Sequence, residues 1–223
     1  MKTRLLLVLF FIFWNQSAMA IEEPRFTLIL KAGSFEVRQY APMLVAETMV
    51  DGDMDEASSR GFRRIADFIF GNNQSAQTGG SAKIAMTAPV TQEPQSEKIA
   101  MTAPVTMGAT SNTADSNLAG SNKWRIHFVM PSQYTMANIP QPKNADVKLR
   151  EIPGKYFAVY NYTGFNTKSQ VQAKTDELVA WVQEKKMTPL SSPQLSRYDP
   201  PWTLPMFRRN EIMIEIEETK AAN

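Results

Sequence analysis

The chain has no cysteine and only one histidine, His127. Without cysteine it has no disulfide, no thiolate nucleophile and no thiolate metal site. A single histidine excludes metal sites built from several histidines and removes most routes to a Ser-His-Asp site. The sequence also lacks a G-x-S-x-G motif, an H-E-x-x-H motif and a glycine-rich phosphate loop. These absences argue against the common classes of enzyme.

The first twenty residues contain the three parts of a secretory signal. Lys2 and Arg4 give a positive start, residues 5–14 are an unbroken apolar run, and Ala18–Ala20 is a small-x-small triplet. The run is too short to span a bilayer, which takes about 20 apolar residues. We therefore expect a signal peptide over residues 1–20 that is cleaved after Ala20, and a periplasmic or secreted protein without stable membrane insertion.

Cleavage at this site would leave a neutral protein. The full chain has 24 lysines and arginines and 22 acidic residues, and the loss of Lys2 and Arg4 makes the two numbers equal. A neutral domain has no cationic surplus with which to hold nucleic acid, so we expect no such partner. Residues 21–223 are enough for a single domain with a sizeable core.

The same predicted pattern of strands and a helix occurs twice, in two halves of the chain at about residues 26–131 and 140–218. Phe35–Tyr40 and Val147–Ile152 both alternate apolar and polar residues, as half-buried strands do. In each half a turn and a second strand complete a predicted hairpin, and a helix and two further strands follow. The helices are expected from about Asp53 to Phe70 and from Thr167 to before Pro189. Two β-β-α-β-β units favour an α+β fold with a mostly antiparallel sheet, which can close into a distorted barrel.

Four motifs, one of them present twice, carry a family resemblance. The nine residues Lys83–Thr91 (KIAMTAPVT) recur identically at Lys98–Thr106, and WRIHFVMP follows at Trp124–Pro131. Arg197–Thr203 reads RYDPPWT, with RRNE at Arg208–Glu211. Together they resemble the SOUL haem-binding protein family over nearly the whole of the chain after the signal peptide. The resemblance implies an eight-stranded, distorted, mostly antiparallel barrel flanked by two helices. It also implies non-covalent binding of haem or a related tetrapyrrole in a shallow apolar cleft.

The repeated segment offers Met86 or Met101 as a thioether ligand to iron. Methionine more often fills gaps in a core, and Pro89 and Pro104 would end strand pairing at an edge because proline has no N–H. We therefore interpret the repeats as strands near Ile84–Val90 or Ile99–Val105, and as structural.

His127 is the only candidate for a histidine ligand to haem iron. Trp124, Ile126 and Phe128 share one face of a predicted strand, so His127 lies on the other face. The face opposite such an apolar row is more often solvated, so we favour a surface position over iron ligation.

The Pro- and aromatic-rich segment Arg197–Thr203 is interpreted as a rigid loop packed by Tyr198 and Trp202, in preference to direct ligand contact.

The first helix offers a candidate porphyrin-binding flank beside its core stripe. Four residues at spacings of four, three and four lie together there: Ala57, Gly61, Arg64 and Phe68. Two small residues would leave room for a ring, the phenyl group would contact it, and the guanidinium would pair with a propionate. The alternative is that Gly61 permits close packing and Arg64 is solvated. The sequence leaves both open.

Two other functions remain open beside a haem carrier, buffer or scavenger. A carboxylate in an apolar cleft would have a raised pKa and could act as a general base in a hydrolase-like enzyme. Glu47 and Glu211 are the candidates for that role. The third possibility is an envelope protein-interaction module that binds no small ligand.

Overall fold

A computed structural model describes residues 21–75, 77–95, 118–200 and 202–218. The predicted signal peptide and the second copy of the repeat, with Met101 and Pro104, lie outside the described residues. The helices are α1 (Met54–Ile69) and α2 (Lys168–Glu184). The strands are β1 (Phe26–Ala32), β2 (Phe35–Tyr40), β3 (Met43–Asp51), β4 (Asn73–Gln74), β5 (Val90–Pro94), β6 (Lys123–Val129), β7 (Gln141–Pro142), β8 (Val147–Ile152), β9 (Lys155–Thr163), β10 (Gln194–Arg197) and β11 (Arg209–Ile216).

Nine of these strands form one antiparallel sheet in the order β1-β2-β9-β11-β10-β5-β6-β3-β8. The sheet curls into a half-barrel, and the two helices pack on one of its faces. This confirms the α+β class, although the sheet has nine strands instead of the eight expected. The extra strand, β1, is an edge strand whose seven residues are all exposed. It was missed because neither of its faces is buried, so its sequence has no period-two alternation.

The two halves are related by an exchange of their first strands. β2 pairs with β9, matching Phe35 with Tyr160, and β3 pairs with β8, matching Met43 with Ile152. Without β1, the order of the eight remaining strands is therefore unchanged when the two halves are exchanged and the order is reversed. The predicted hairpins β2–β3 and β8–β9 are wrong, because β2 pairs with β9 and β3 pairs with β8 instead. Both links contain a proline, which cannot donate the hydrogen bond that closes a tight hairpin.

Both helices begin directly after the residues at which the sequence analysis expected them to start, and each of those residues caps its helix. The Asp53 carboxylate accepts hydrogen bonds from the backbone N–H groups of Asp55 and Glu56. The Thr167 hydroxyl accepts one from the N–H of Gln170. Each cap satisfies N–H groups that the first helical turn leaves without a partner.

The main core lies between the sheet and the helices. Trp124, Ile126 and Phe128 on β6 are fully buried on this face, and α1 packs across β3 and β6. On the other half, α2 covers β9 and β11, and Leu178 is fully buried. We call this side of the sheet the helix face and the opposite side the inner face.

The first copy of the repeated motif is mostly not a strand. Residues 84–89 have no ladder pairing, apart from a bridge between Thr87 and Glu22, and β5 begins only at Val90. Pro89 therefore precedes the strand and does not end one, which corrects the predicted strand at Ile84–Val90. Met86 packs against the main core, consistent with a structural role.

Candidate ligand-binding surfaces

The predicted flank of α1 faces the core. Ala57, Gly61 and Phe68 are buried. A Cβ atom placed on Gly61 would lie 2.4 Å from Cγ1 of Ile126, so the isoleucine already fills the space beside the glycine. The expectation that the small residues leave room for a ring is not met, and the close-packing alternative fits the geometry.

Arg64 is the only member of that flank at the surface. Its Nη1 donates to the backbone carbonyl of Met49 at 3.0 Å and lies 3.6 Å from Oδ2 of Asp146. The four predicted residues therefore do not combine into one open apolar surface.

An exposed apolar surface lies instead on two neighbouring loops. Five large side chains on these loops are each more than half exposed, from 54% for Phe165 to 83% for Trp202. We call this set the apolar lip: Phe165, Trp202, Leu204, Met206 and Phe207. The loops are joined by a hydrogen bond of 3.0 Å from the Gly164 N–H to the Arg208 carbonyl. Clusters of exposed apolar residues on soluble proteins commonly mark binding surfaces.

Polar contacts hold the base of the loop after β10. The Tyr198 hydroxyl donates to Oε2 of Glu211 at 2.6 Å, and Asp199 accepts from the N–H of Arg209 at 2.6 Å. Tyr198 thus anchors the loop as expected. Trp202 does not, because its side chain is the most exposed of the lip.

The inner face of the sheet encloses a cavity of about 110 Å³. Eight of the nine strands contribute residues to its wall, which shows how far the sheet curls around it. His127 lies on this wall and is only 7% exposed. The predicted solvated position is therefore wrong, because the face opposite Trp124 and Phe128 is turned inward by the curl.

The surroundings of His127 keep its ring neutral. Burial, together with the positive charges of Arg150 and Arg125, lowers its pKa to about 3. Arg150 donates from Nε to Oε2 of Glu47 at 2.8 Å, and Arg125 donates from Nη1 to Oε2 of Glu93 at 3.1 Å. His127 Nδ1 is buried and has no hydrogen-bond partner within the described residues.

Glu47 and Glu211, the two candidate general bases, are both held by arginines. Glu211 accepts from Nη1 of Arg38 at 3.0 and 3.1 Å, in addition to its bond from Tyr198. Burial raises the pKa of Glu211, while Arg38 opposes the rise. A base must have a free lone pair aimed at its substrate, so these pairings do not favour the enzyme alternative.

A sequence profile of the family described as "SOUL heme-binding protein" matches residues 21–97 and 91–215. The chain belongs to this family. No protein among curated sequences matches it.

Solved structures resemble this SOUL protein at low identity. The C-terminal domain of EcmrR has a TM-score of 0.55 and 11% identity, and the match covers 87% of this chain and 99% of that one. An uncharacterized conserved protein from Listeria innocua has a TM-score of 0.54 and 12% identity, with 82% and 92% covered. A hydrolase from Listeria innocua has a TM-score of 0.51 and 10% identity, with 84% and 93% covered. At such identities the likeness shows the fold alone.

Two further features of this SOUL protein bear on its ligands. Neither helix of the described region has the length and apolar character needed to cross a bilayer. Within the same residues, no three His, Asp or Glu side chains are grouped so that they could hold a metal ion.

The apolar lip was missed by sequence reasoning. A usable signal was present, because Trp202, Leu204, Met206 and Phe207 follow one another at close spacing in a segment with no strand or helix periodicity. Apolar residues in such a segment have no regular face to bury.

Proposed function

We propose that this SOUL protein binds haem or a related tetrapyrrole non-covalently at the apolar lip and acts as a carrier, buffer or scavenger. The observation that carries the proposal is the exposure of five large apolar side chains on two adjoining loops. The family supports the class of ligand. A tetrapyrrole has a broad flat ring, which an exposed group of aromatic and aliphatic side chains can contact over a wide area.

The lip fits a tetrapyrrole better than the inner cavity does. Pockets that enclose drug-sized ligands measure roughly 300–1,000 Å³, whereas the cavity measures about 110 Å³. A whole ring therefore does not fit inside the sheet as it stands. At the lip, each Å² of apolar area removed from water contributes about 25 cal/mol, so ring contact supplies most of the binding free energy.

Lys168 is the cation we assign to a propionate. It follows Phe165 by three residues at the start of α2, and its side chain is 56% exposed. Its nearest carboxylate is Asp53, at 3.7 Å and also exposed. Surface ion pairs contribute about 0–1 kcal/mol, so this contact would orient the ligand more than hold it.

A haemin titration followed by the Soret absorbance tests the proposal. We expect saturable binding to the wild-type protein and at least about tenfold weaker binding to the double variant Trp202→Ser, Phe207→Ser, a loss of about 1.4 kcal/mol or more. Circular dichroism melts would confirm that the variants are folded. No saturable change with the wild-type protein would contradict the proposal and favour a protein partner for the lip.

Phe70→Ser is the matched control. Phe70 is 58% exposed, like the lip residues, but it follows the last turn of α1. The loop after β10 is tied to the other end of that helix, where Arg197 lies 3.5 Å from Asp55. The 16 residues of α1 span about 24 Å at 1.5 Å per residue, so the control lies far from the lip. Equal losses from the control and the double variant would show that haemin binds exposed apolar groups without a site.

We further propose that the protein is exported and begins at Ile21 after cleavage. The residues that follow are used by the fold: the Glu22 carbonyl accepts from the Ala88 N–H at 3.0 Å, and Glu23 pairs with Arg209 at 2.6 Å. Amino-terminal sequencing of protein recovered from the periplasm or medium tests this. An intact Met1 in that material would refute it.

A further inference from the structure

The inner cavity contains two buried nitrogen atoms without a hydrogen-bond partner. They are Nδ1 of His127 and Nε of Arg125, and neither has a hydrogen-bond partner within the described part of the chain, although Nε of Arg125 lies 3.6 Å from Oε2 of Glu47. Both residues lie on the cavity wall, and 93% of His127 is buried. Buried polar groups in folded proteins nearly always have a partner. On the wall of a cavity, these two atoms are therefore open to a hydrogen bond from a ligand.

The carboxylates around the cavity are already paired with cations of the protein. Each of three carboxylates is held by a cation: Glu47 by Arg150 at 2.8 Å, Glu93 by Arg125 at 3.1 Å and Glu215 by Lys155 at 2.5 Å. No carboxylate is left over to attract a cationic ligand among the described residues that line the wall. The open positions belong to a guanidinium N–H and to a neutral imidazole, which can donate from one ring nitrogen. This arrangement selects an anion over a cation.

The rest of the wall is mixed. Met43, Val129, Ile152, Phe157 and Met213 contribute apolar side chains, and Thr91, Ser191, Gln194 and Ser196 contribute polar ones. The volume of about 110 Å³ restricts the ligand to a small molecule. Apolar side chains beside a guanidinium donor and an imidazole donor fit a molecule that has an apolar body and one charged end.

We propose that the inner cavity binds a small carboxylic acid, with its carboxylate held by Arg125 and His127 and its apolar body against the apolar side chains of the wall. No residue of the apolar lip lines the cavity, so binding at the cavity and binding at the lip are tested separately. The carboxylate belongs to a free acid or to a propionate of a bound tetrapyrrole, and the two sources share this chemistry.

His127 provides the probe, because it is the only histidine in the chain and its ring protons give a single set of NMR signals. The purified protein would be titrated with benzoate and with two molecules of nearly the same shape, neutral benzamide and cationic benzamidine. We expect a saturable shift of the His127 signals with benzoate and at least about tenfold weaker binding of the other two, because only benzoate makes charge-assisted bonds. No saturable shift up to tens of millimolar benzoate, or equal binding of benzamidine, would overturn the proposal.

Variants locate the site. Arg125→Gln should weaken benzoate binding by about tenfold or more, with the fold checked by circular dichroism. Arg64→Gln, which changes an arginine on the outer surface of α1, should leave it within about twofold. Equal affinities in the two variants would remove Arg125 from the site. Because the comparison of the three ligands uses only the wild-type protein, the proposal remains testable if Arg125→Gln does not fold.

A competition experiment separates the two sources of carboxylate. If the natural ligand is a free acid, adding haemin should not displace benzoate from the wild-type protein. The variant Trp202→Ser, Phe207→Ser should then bind benzoate as the wild type does, although it no longer binds haemin. For a propionate, haemin displaces benzoate from the wild-type protein. Either result supports a carboxylate site. Failure of benzoate to bind while haemin still binds would overturn this inference and leave the proposed function intact.

Discussion

Gly61 on α1 and Ile126 on β6 are in direct contact across the main core. The position of a Cβ atom on Gly61 falls 2.4 Å from Cγ1 and 2.7 Å from Cβ of Ile126. This close approach lets the helix lie on β6 and closes the flank where the sequence suggested a cleft.

The contact predicts that Gly61→Ala destabilises the protein. Alanine favours a helix over glycine by about 1 kcal/mol, but overpacking a core costs about 1–3 kcal/mol. Since Ile126 approaches with two atoms closer than 3 Å, we expect a net loss in urea unfolding. The exposed helix residue Ser59 gives the control Ser59→Ala, which should not destabilise. A Gly61→Ala protein as stable as the wild type would show that the helix shifts freely on the sheet.

Acid should destabilise the protein through His127. Its pKa in the folded state is about 3, against 6.5 ordinarily, so between these values the unfolded chain binds a proton that the folded chain does not. The stabilisation is complete above pH 6.5 and is lost as the pH falls, by up to about 1.4 kcal/mol per unit. The groups that face the ring are Arg125, Arg150 and, by strand register, Glu47 and Thr91.

Comparison with His127→Gln isolates this effect, because the other titrating groups are common to both proteins. Between pH 7 and pH 4.5, the free energy of unfolding of the wild type should fall by about 2–3 kcal/mol more than that of the variant. Urea unfolding at several pH values measures it. A difference that does not vary with pH would mean that the pKa of His127 is the same in the folded and the unfolded protein.

Haemin binding should survive the loss of His127. The ring lies in the inner cavity and the proposed haemin surface is the apolar lip, so His127→Ala should change the affinity by less than about tenfold, or 1.4 kcal/mol. The Soret position should also stay the same. A larger loss with a shifted Soret band would place iron at His127 and refute the lip assignment.

Arg38 should be important for stability. Its buried side chain donates to Glu36 at 2.7 Å and to Glu211 at 3.0 Å. Removing one partner of a buried ion pair costs about 3–5 kcal/mol, so Arg38→Gln should lower the free energy of unfolding by that order. Lys31→Gln is the control: it removes an exposed partner of the same Glu36 and should cost under about 1 kcal/mol. Equal effects in denaturant unfolding would show that burial does not strengthen the Arg38 pairs.

Both helices and several strands of this protein were predictable from its sequence. Asp53 and Thr167 mark the starts of the helices because their side chains satisfy the first free N–H groups wherever a helix is placed. The alternation in Phe35–Tyr40 and Val147–Ile152 identified two strands, since period two shows in any strand with one buried face. The sequence motifs also identified the family, because a motif is recognised from its residues alone, without knowledge of what they contact.

Three features were decided only by the tertiary structure. The sequence identified the strand that carries His127 and the face on which it lies, but whether that face meets water depended on the curl of a nine-stranded sheet. It showed two small residues on α1, but whether they form a cleft or a close contact depended on Ile126, more than 60 positions away. It showed strands in succession, but β2, β5 and β3 each take one partner from the other half of the chain. Propensity, capping and periodicity act over a few residues, whereas cavities, contacts between layers and strand partners arise from segments distant in the chain.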